Sequence, residues 1–147
     1  MGKQLSAAIE IAATPERVWA ILTGFSAYPA WNPFIRSVEG TPTAGARLAV
    51  RIEPPGGRGR GFRPTVLAVE PNRELRWLGR VLLPGLFDGE HSFRLEPLEA
   101  GRVRLIQAER FTGLLVSILG GRLGNTERGF QAMNQALKER AEATPAS

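Results

Sequence analysis

Few residues in this chain can carry a proton near neutral pH. Among 147 residues there is one histidine, His91, and no cysteine. Without cysteine there can be no disulfide, thiolate zinc site, cysteine nucleophile or iron–sulfur cluster. A single histidine excludes multi-histidine metal sites, so no metal and no cofactor is expected. His91 lies in an alternating run in which Phe87, His91, Phe93 and Leu95 share one face and Asp88, Glu90, Ser92, Arg94 and Glu96 the other. A second run, Arg102 to Phe111, puts Val103, Leu105, Gln107, Glu109 and Phe111 on its inner face. The turn around Leu98-Glu99-Ala100-Gly101 joins the two, and pairing across it sets His91 opposite Gln107 or Glu109. An imidazole in that setting can serve as a general acid/base or as a hydrogen-bond donor to a ligand. The bland alternative is a buried histidine satisfied by its neighbour and holding the sheet together. Glu109 poses the same question, since an inward carboxylate costs on the order of several kcal/mol unless it is paired. Its partner is His91, an arginine such as Arg63, or water, unless a bulge near Gln107 turns it outward.

The patterning supplies elements to carry these groups. Leu5, Ala7, Ile9 and Ile11 alternate with Gln4, Ser6, Ala8 and Glu10, a first strand with one buried face. Thr14-Pro15-Glu16-Arg17 reads as a helix start. Thr14 suits the N-cap, Pro15 the first helical position and Glu16 the dipole, while Arg17 stands where a capping-box acid usually does. Val18, Trp19, Ile21 and Leu22 fill one helix face, and Gly24 ends it. The aromatic segment Phe25 to Phe34 contains two prolines, which limit it to a short second helix or turn. A strand follows near Ile35 to Glu39, then one through Leu48, Val50 and Ile52. Phe62 to Glu70 and Glu74 to Val81 are each predicted as one strand. From Leu114 to about Ala143 the residues Leu115, Leu119, Leu123, Phe130, Met133 and Leu137 trace one apolar stripe. That predicts a long helix, loosened in its first half by Gly120, Gly121 and Gly124. The expected architecture is a single α+β domain over residues 1–147, in which a curling antiparallel sheet covers the helix stripe.

The charge is less informative. Net charge is +5, and nearly all the basic residues are arginine. Most are interleaved with acids, as in Glu74/Arg76 and Glu90/Arg94/Glu96, which describes a solvated face of mixed sign and not a nucleic-acid surface. Transient contact with an anionic membrane surface is compatible with this charge. The Gly56-Gly57-Arg58-Gly59-Arg60-Gly61 stretch lacks the following helix that a phosphate-cradling loop needs. It reads as a basic hairpin tip able to bind anions weakly or to gate a cavity mouth. No signal-peptide h-region follows Met1, and no apolar stretch approaches the ~20 residues a bilayer crossing requires, so a cytoplasmic location is expected.

The strand–helix start with Ala13-Thr14-Pro15-Glu16-Arg17-Val18-Trp19, the Tyr28-Pro29-Ala30-Trp31-Asn32-Pro33-Phe34 segment and the six strands before a long C-terminal helix resemble the START/SRPBCC superfamily. Glu74-Leu75-Arg76-Trp77, Gly89 to Pro97 and Arg128-Gly129-Phe130-Gln131-Ala132-Met133-Asn134 are similar to its bacterial polyketide cyclase/dehydrase and lipid-transport branch. The resemblance covers nearly the whole chain. It implies a helix-grip fold, a curved antiparallel sheet of six to seven strands wrapped around the C-terminal helix, with two short helices after strand one and an apolar cavity in between. It carries over no catalytic residue. Inward positions on the sheet are Val50, Ile52, Leu75, Trp77, Phe87, His91, Phe93, Gln107 and Phe111. The helix would add Leu119, Leu123, Phe130 and Met133, and Trp31 and Phe34 would sit near the mouth. Patterning alone favours a filled core, because most inward aromatics are core. The resemblance turns the expectation towards a pocket for a small hydrophobic ligand, a lipid, quinone or polyketide-like aromatic. An alternative is a cyclase or dehydratase that uses His91, with Glu109, as acid/base. A weaker one is an interaction or co-chaperone module. A monomer or a homodimer fits either reading.

Overall fold

The computed structural model describes residues 3–81, 85–116 and 124–143. Strand β1, Lys3–Ile11, leads to helix α1, Pro15–Thr23. Thr14 caps α1, its Oγ1 accepting from the Arg17 backbone N–H at 3.2 Å, and Pro15 opens the first turn. Val18 and Leu22 are the buried side chains of this helix. A single 3-10 turn, Phe25–Ala27, and a four-residue helix α2, Tyr28–Trp31, follow. Asn32 then turns the chain: its Oδ1 accepts from the backbone N–H of Phe34 at 2.9 Å and of Ile35 at 2.8 Å. These bonds start strand β2, Ile35–Glu39, and aim the Phe34 ring inward.

The remaining strands are β3 (Ala49–Ile52), β4 (Arg60–Phe62), β5 (Thr65–Glu70), β6 (Glu74–Val81), β7 (Phe87–Pro97) and β8 (Val103–Thr112). Among the described residues this makes eight strands, more than the six to seven expected. They form a five-stranded sheet in the order β1-β8-β7-β6-β5 and a three-stranded sheet in the order β2-β3-β4. The difference lies at Pro64. The span Phe62 to Glu70 was expected as one strand, but proline has no N–H to give a ladder, and the chain breaks there into β4 and β5. The Pro64 carbonyl instead accepts from Leu48 N–H at 2.9 Å, and Val66 N–H donates to the Ala46 carbonyl at 2.8 Å. With the Arg47–Thr65 bridge, these bonds join the two sheets at a corner.

Helix α3, Gly124–Glu142, lies across the large sheet and buries Phe130, Met133, Leu137 and Ala141 at helical spacing. The predicted start at Leu114 is displaced: Leu114 sits in a turn and is 78% exposed, and Val116 is the first helical residue after it. Leu119 and Leu123 lie outside the described residues. Facing α3, the sheet contributes Leu75, Trp77, Phe93 and Leu105, all fully buried. The end of α3 is fastened to the start of the chain. Arg17 Nε donates to the Ala141 carbonyl at 2.6 Å, and its Nη2 donates to Ala143 at 3.1 Å and to Arg140 at 3.3 Å. That explains an arginine at a capping-box position: it satisfies the carbonyls that a helix C-terminus leaves open and complements its dipole. The whole is an α+β helix-grip architecture, a curved antiparallel sheet folded around a C-terminal helix.

Candidate functional site

A cavity of about 490 Å³ opens between the two sheets and the start of α3. Two glycines lie in its wall. Gly79 of β6 and Gly89 of β7 are direct partners in the sheet, on the same inward face as Trp77 and His91. Where the row would carry two side chains it carries none, and the Phe62 ring lies over Gly79 and the Glu109 carboxylate over Gly89 in their place. Phe34, Ile52, Trp77, Phe87 and Phe111 form its apolar walls, and Thr126 reaches it from the first turn of α3. His91 and Glu109 lie at its floor. Arg47, Arg60, Arg63 and Arg80 line it while remaining exposed, so they stand where the cavity meets solvent.

The histidine is held on every side. It is 4% exposed, stacks on the Trp77 ring with centroids 5.4 Å apart, and takes the edge of Phe130 at 5.0 Å. Directly opposite it in the sheet is Glu109, whose Oε1 lies 2.9 Å from Nδ1. Gln107, two residues along β8 on the same face, places its Oε1 3.0 Å from Nε2. Both partners allowed by the turn are therefore engaged at once, and β8 runs past Gln107 without a bulge.

A chain of bonds fixes the proton positions. The Ala7 backbone carbonyl can only accept, so Asn134 Nδ2 donates to it at 3.0 Å. Asn134 then presents Oδ1, which accepts from Gln107 Nε2 at 2.8 Å. Gln107 in turn presents Oε1, which accepts from His91 Nε2–H. Nε2 thus carries a hydrogen, and Nδ1 and Glu109 Oε1 share one proton between them. Neither ring nitrogen is left for a ligand. The group with a free atom is Glu109, whose side chain is 19% exposed and whose Oε2 lies over Gly89. A Cβ on Gly89 would collide with that oxygen, so the glycine also gives the carboxylate room to reach His91.

Of the residues expected to meet a ligand, Phe34, Ile52, Trp77, Phe87, His91, Glu109 and Phe111 come together on the cavity. Val50, Phe93, Gln107, Phe130 and Met133 do not line it. They are buried around it: Phe93, Gln107, Phe130 and Met133 where α3 meets the large sheet, and Val50 in the small sheet, paired with Val38 and Phe62. Trp31 points elsewhere: it packs edge-on against Tyr28 and lines a separate depression with Arg17 and Arg140. Phe34 replaces it at the cavity because the Asn32 turn swings the chain inward, and because Gly129 of α3 lacks a Cβ that would overlap the Phe34 ring. Tyr28, fully buried, donates its hydroxyl to the Leu22 carbonyl, and burial pushes the phenol well above its ordinary range. It is a structural donor.

Sequence reasoning missed the two glycines, Asn134, Arg47 and Arg80 as parts of the site; Arg60 was in view in the hairpin tip expected to gate a cavity mouth, and Arg63 as a possible partner of Glu109. The glycines did leave a signal, since an interior glycine on the inward face of a strand marks the close approach of another group, here Phe62 and Glu109. Among the described residues no group of three histidine, cysteine, aspartate or glutamate side chains gathers as a metal site.

Comparison with solved structures shows the same fold at low sequence identity. Norcoclaurine synthase from Thalictrum flavum, solved in complex with dopamine and hydroxybenzaldehyde, superposes with a TM-score of 0.75 at 12% identity, over 100% of this chain and 90% of that one. The Zhui aromatase/cyclase from Streptomyces sp. R1128 gives 0.74 at 15%, over 100% of both chains. A START superfamily protein from Mycobacterium smegmatis gives 0.70 at 23%, over 95% of this chain and 97% of that one. A search of curated proteins finds no match. Residues 3–142 match the family model described as polyketide cyclase/dehydrase and lipid transport, and the chain belongs to that family.

Proposed function

We propose that this protein binds a small hydrophobic ligand in the cavity between its sheets and α3. The observation that carries the reading is the cavity itself, about 490 Å³ walled by the rings of Phe34, Phe62, Trp77, Phe87 and Phe111. That volume lies in the range of ligand pockets, which runs from roughly 300 to 1,000 Å³. An apolar guest gains about 25 cal/mol for each Å² of its surface removed from water, which favours capture of an alkyl chain or fused rings. Titration with the neutral hydrophobic dye Nile red tests it. Saturable binding is expected, weakened about tenfold or more in Gly79→Val, whose side chain would press on the Phe62 ring and drive it into the hollow. Circular dichroism should show the variant folded. Dye binding unchanged by that substitution would place the dye outside the cavity and refute the reading.

A second reading, supported by the open oxygen of Glu109, is a cyclase or dehydratase acting on an enolisable substrate in the same cavity. Glu109 Oε2 would take a proton from the carbon beside a carbonyl, while His91 holds the carboxylate in place from Oε1. In this reading the acid/base group that touches substrate is Glu109, and His91 is a positioning residue. With a poly-β-ketone substrate, Glu109→Gln is expected to remove turnover by a factor of at least about 100 while leaving Nile red binding within about twofold. Turnover that survives Glu109→Gln would remove the carboxylate from the mechanism.

A further inference from the structure

We infer that the cavity's ligand is an amphiphile with an anionic head, a carboxylate or phosphate, which Arg47, Arg60 and Arg63 hold at the mouth. The inference rests on the reading that the cavity takes an apolar ligand, and it adds the chemical class of that ligand. Three guanidinium groups come to the mouth from the corner where the sheets join. Arg60 stands directly across from Ile52 and so shares the face of β3 and β4 that lines the cavity. Arg47 bridges to Thr65, and Arg63 lies in the short link between β4 and β5, beside Pro64.

What sets these arginines apart is that they border one apolar cavity with no acid paired to them. Arg76 pairs with Glu90 at 3.0 Å, Arg94 and Arg104 with Glu96 at 3.5 Å, and Arg102 with Glu10 at 3.5 Å, while Arg17 and Arg36 donate to backbone carbonyls. At the mouth, Arg80 has Asp88 at 3.8 Å. Among the described residues no carboxylate pairs with Arg47, Arg60 or Arg63. Glu109 is the acid that lines the cavity, and it shares a proton with His91, so the two carry no net charge together. Three like charges therefore border an apolar hollow with nothing to compensate them. Such a mouth attracts anions and repels cations, and guanidinium forks suit carboxylate and phosphate oxygens. A neutral guest would fill the hollow and leave the charges as they are. A guest with an anionic head satisfies both.

The test uses the full chain with Nile red bound, displaced by three twelve-carbon compounds below their micelle concentrations: dodecanoate, dodecanol and dodecylamine. Inorganic phosphate alone is a fourth arm. Dodecanoate is expected to displace the dye at about tenfold lower concentration than dodecanol, with dodecylamine weakest. In Arg60→Gln/Arg63→Gln that advantage should fall to within about twofold, with the dodecanol curve unchanged. Should the double variant lose dye binding, Arg47→Gln and added salt in the unaltered protein must each narrow the same gap. Equal displacement by all three alkyl compounds, or the tightest binding by the amine, overturns the inference and leaves the cavity reading intact. Displacement by inorganic phosphate at dodecanoate's concentration also overturns it, since the anion would then bind without its chain. Failure of every alkyl compound sinks the cavity reading itself.

Discussion

Asn134 touches both helix and sheet: its Nδ2 donates to the Ala7 carbonyl of β1, and its Oδ1 accepts from Gln107 of β8. Its burial inside the core is sustained by those two bonds, and through Gln107 they determine which nitrogen of His91 bears hydrogen. Asn134→Ala leaves the Gln107 amide and the Ala7 carbonyl short of partners, and is expected to cost about 1–3 kcal/mol of stability in a denaturant melt. Because the chain has one histidine, its ring ¹⁵N signals report the consequence without assignment ambiguity. They should lose the fixed Nε2–H signature in Asn134→Ala and keep it in Glu109→Gln. A variant as stable as the parent, with unchanged ring signals, would break the proton assignment made from this chain of bonds.

Helix α3 shows how unevenly one element can be held. Its last turns are tied to the β1–α1 corner by Arg17, by Lys138 donating to the Glu10 carbonyl at 3.0 Å, and by Glu142 accepting from the Ala12 N–H at 2.7 Å. Its first turn has no such ties among the described residues, and there it meets the cavity through Thr126. The bond from Lys138, then that from the Ala12 N–H, holds the Glu142 carboxyl below its usual range. A carboxyl whose value is lowered by folding adds stability that is fully present above its unfolded value, about 4.3, and is lost as pH falls through the folded one. The melting-temperature gap between the parent and Glu142→Gln should therefore be widest near neutral pH and close as pH drops below about 4. A gap that is constant from neutral to acid would mean the carboxylate contributes nothing as an ion. The amphipathic half of this helix was legible because Phe130, Met133 and Leu137 recur at helical spacing. The clamp was not, because its partners are separated by well over a hundred residues and only the closed fold brings Arg17 to Ala141.

At the scale of the molecule, alternation fixed most strands, and the β7–β8 turn fixed the pairing of His91 closely enough to name both its partners. Alternation failed at Pro64, where the residues on either side keep the pattern while the backbone changes sheets. The arginine mouth was legible in part, as a basic hairpin tip containing Arg60, and the gathering of the other arginines beside it was hidden for the same reason. Arg60 faces the cavity through its pairing with Ile52, and Arg47 and Arg63 come to it at the corner, which exists only once the strand is broken. The open space was legible only as a likeness to other chains, since aromatic residues on an inward face look alike whether they fill a core or line a hollow.

The unequal fastening of α3 bears on how a ligand of the proposed kind would come and go. Among the described residues the clamp between α3 and the β1–α1 corner gathers at one end of the helix, and the cavity lies at the other. Loading and release would then need displacement only around Phe34, Thr126 and the β3–β4 loop, with the Arg17 anchor staying shut. Under the proposed function, residence time and thermal endurance would be separate properties of the chain, each adjustable without disturbing the other.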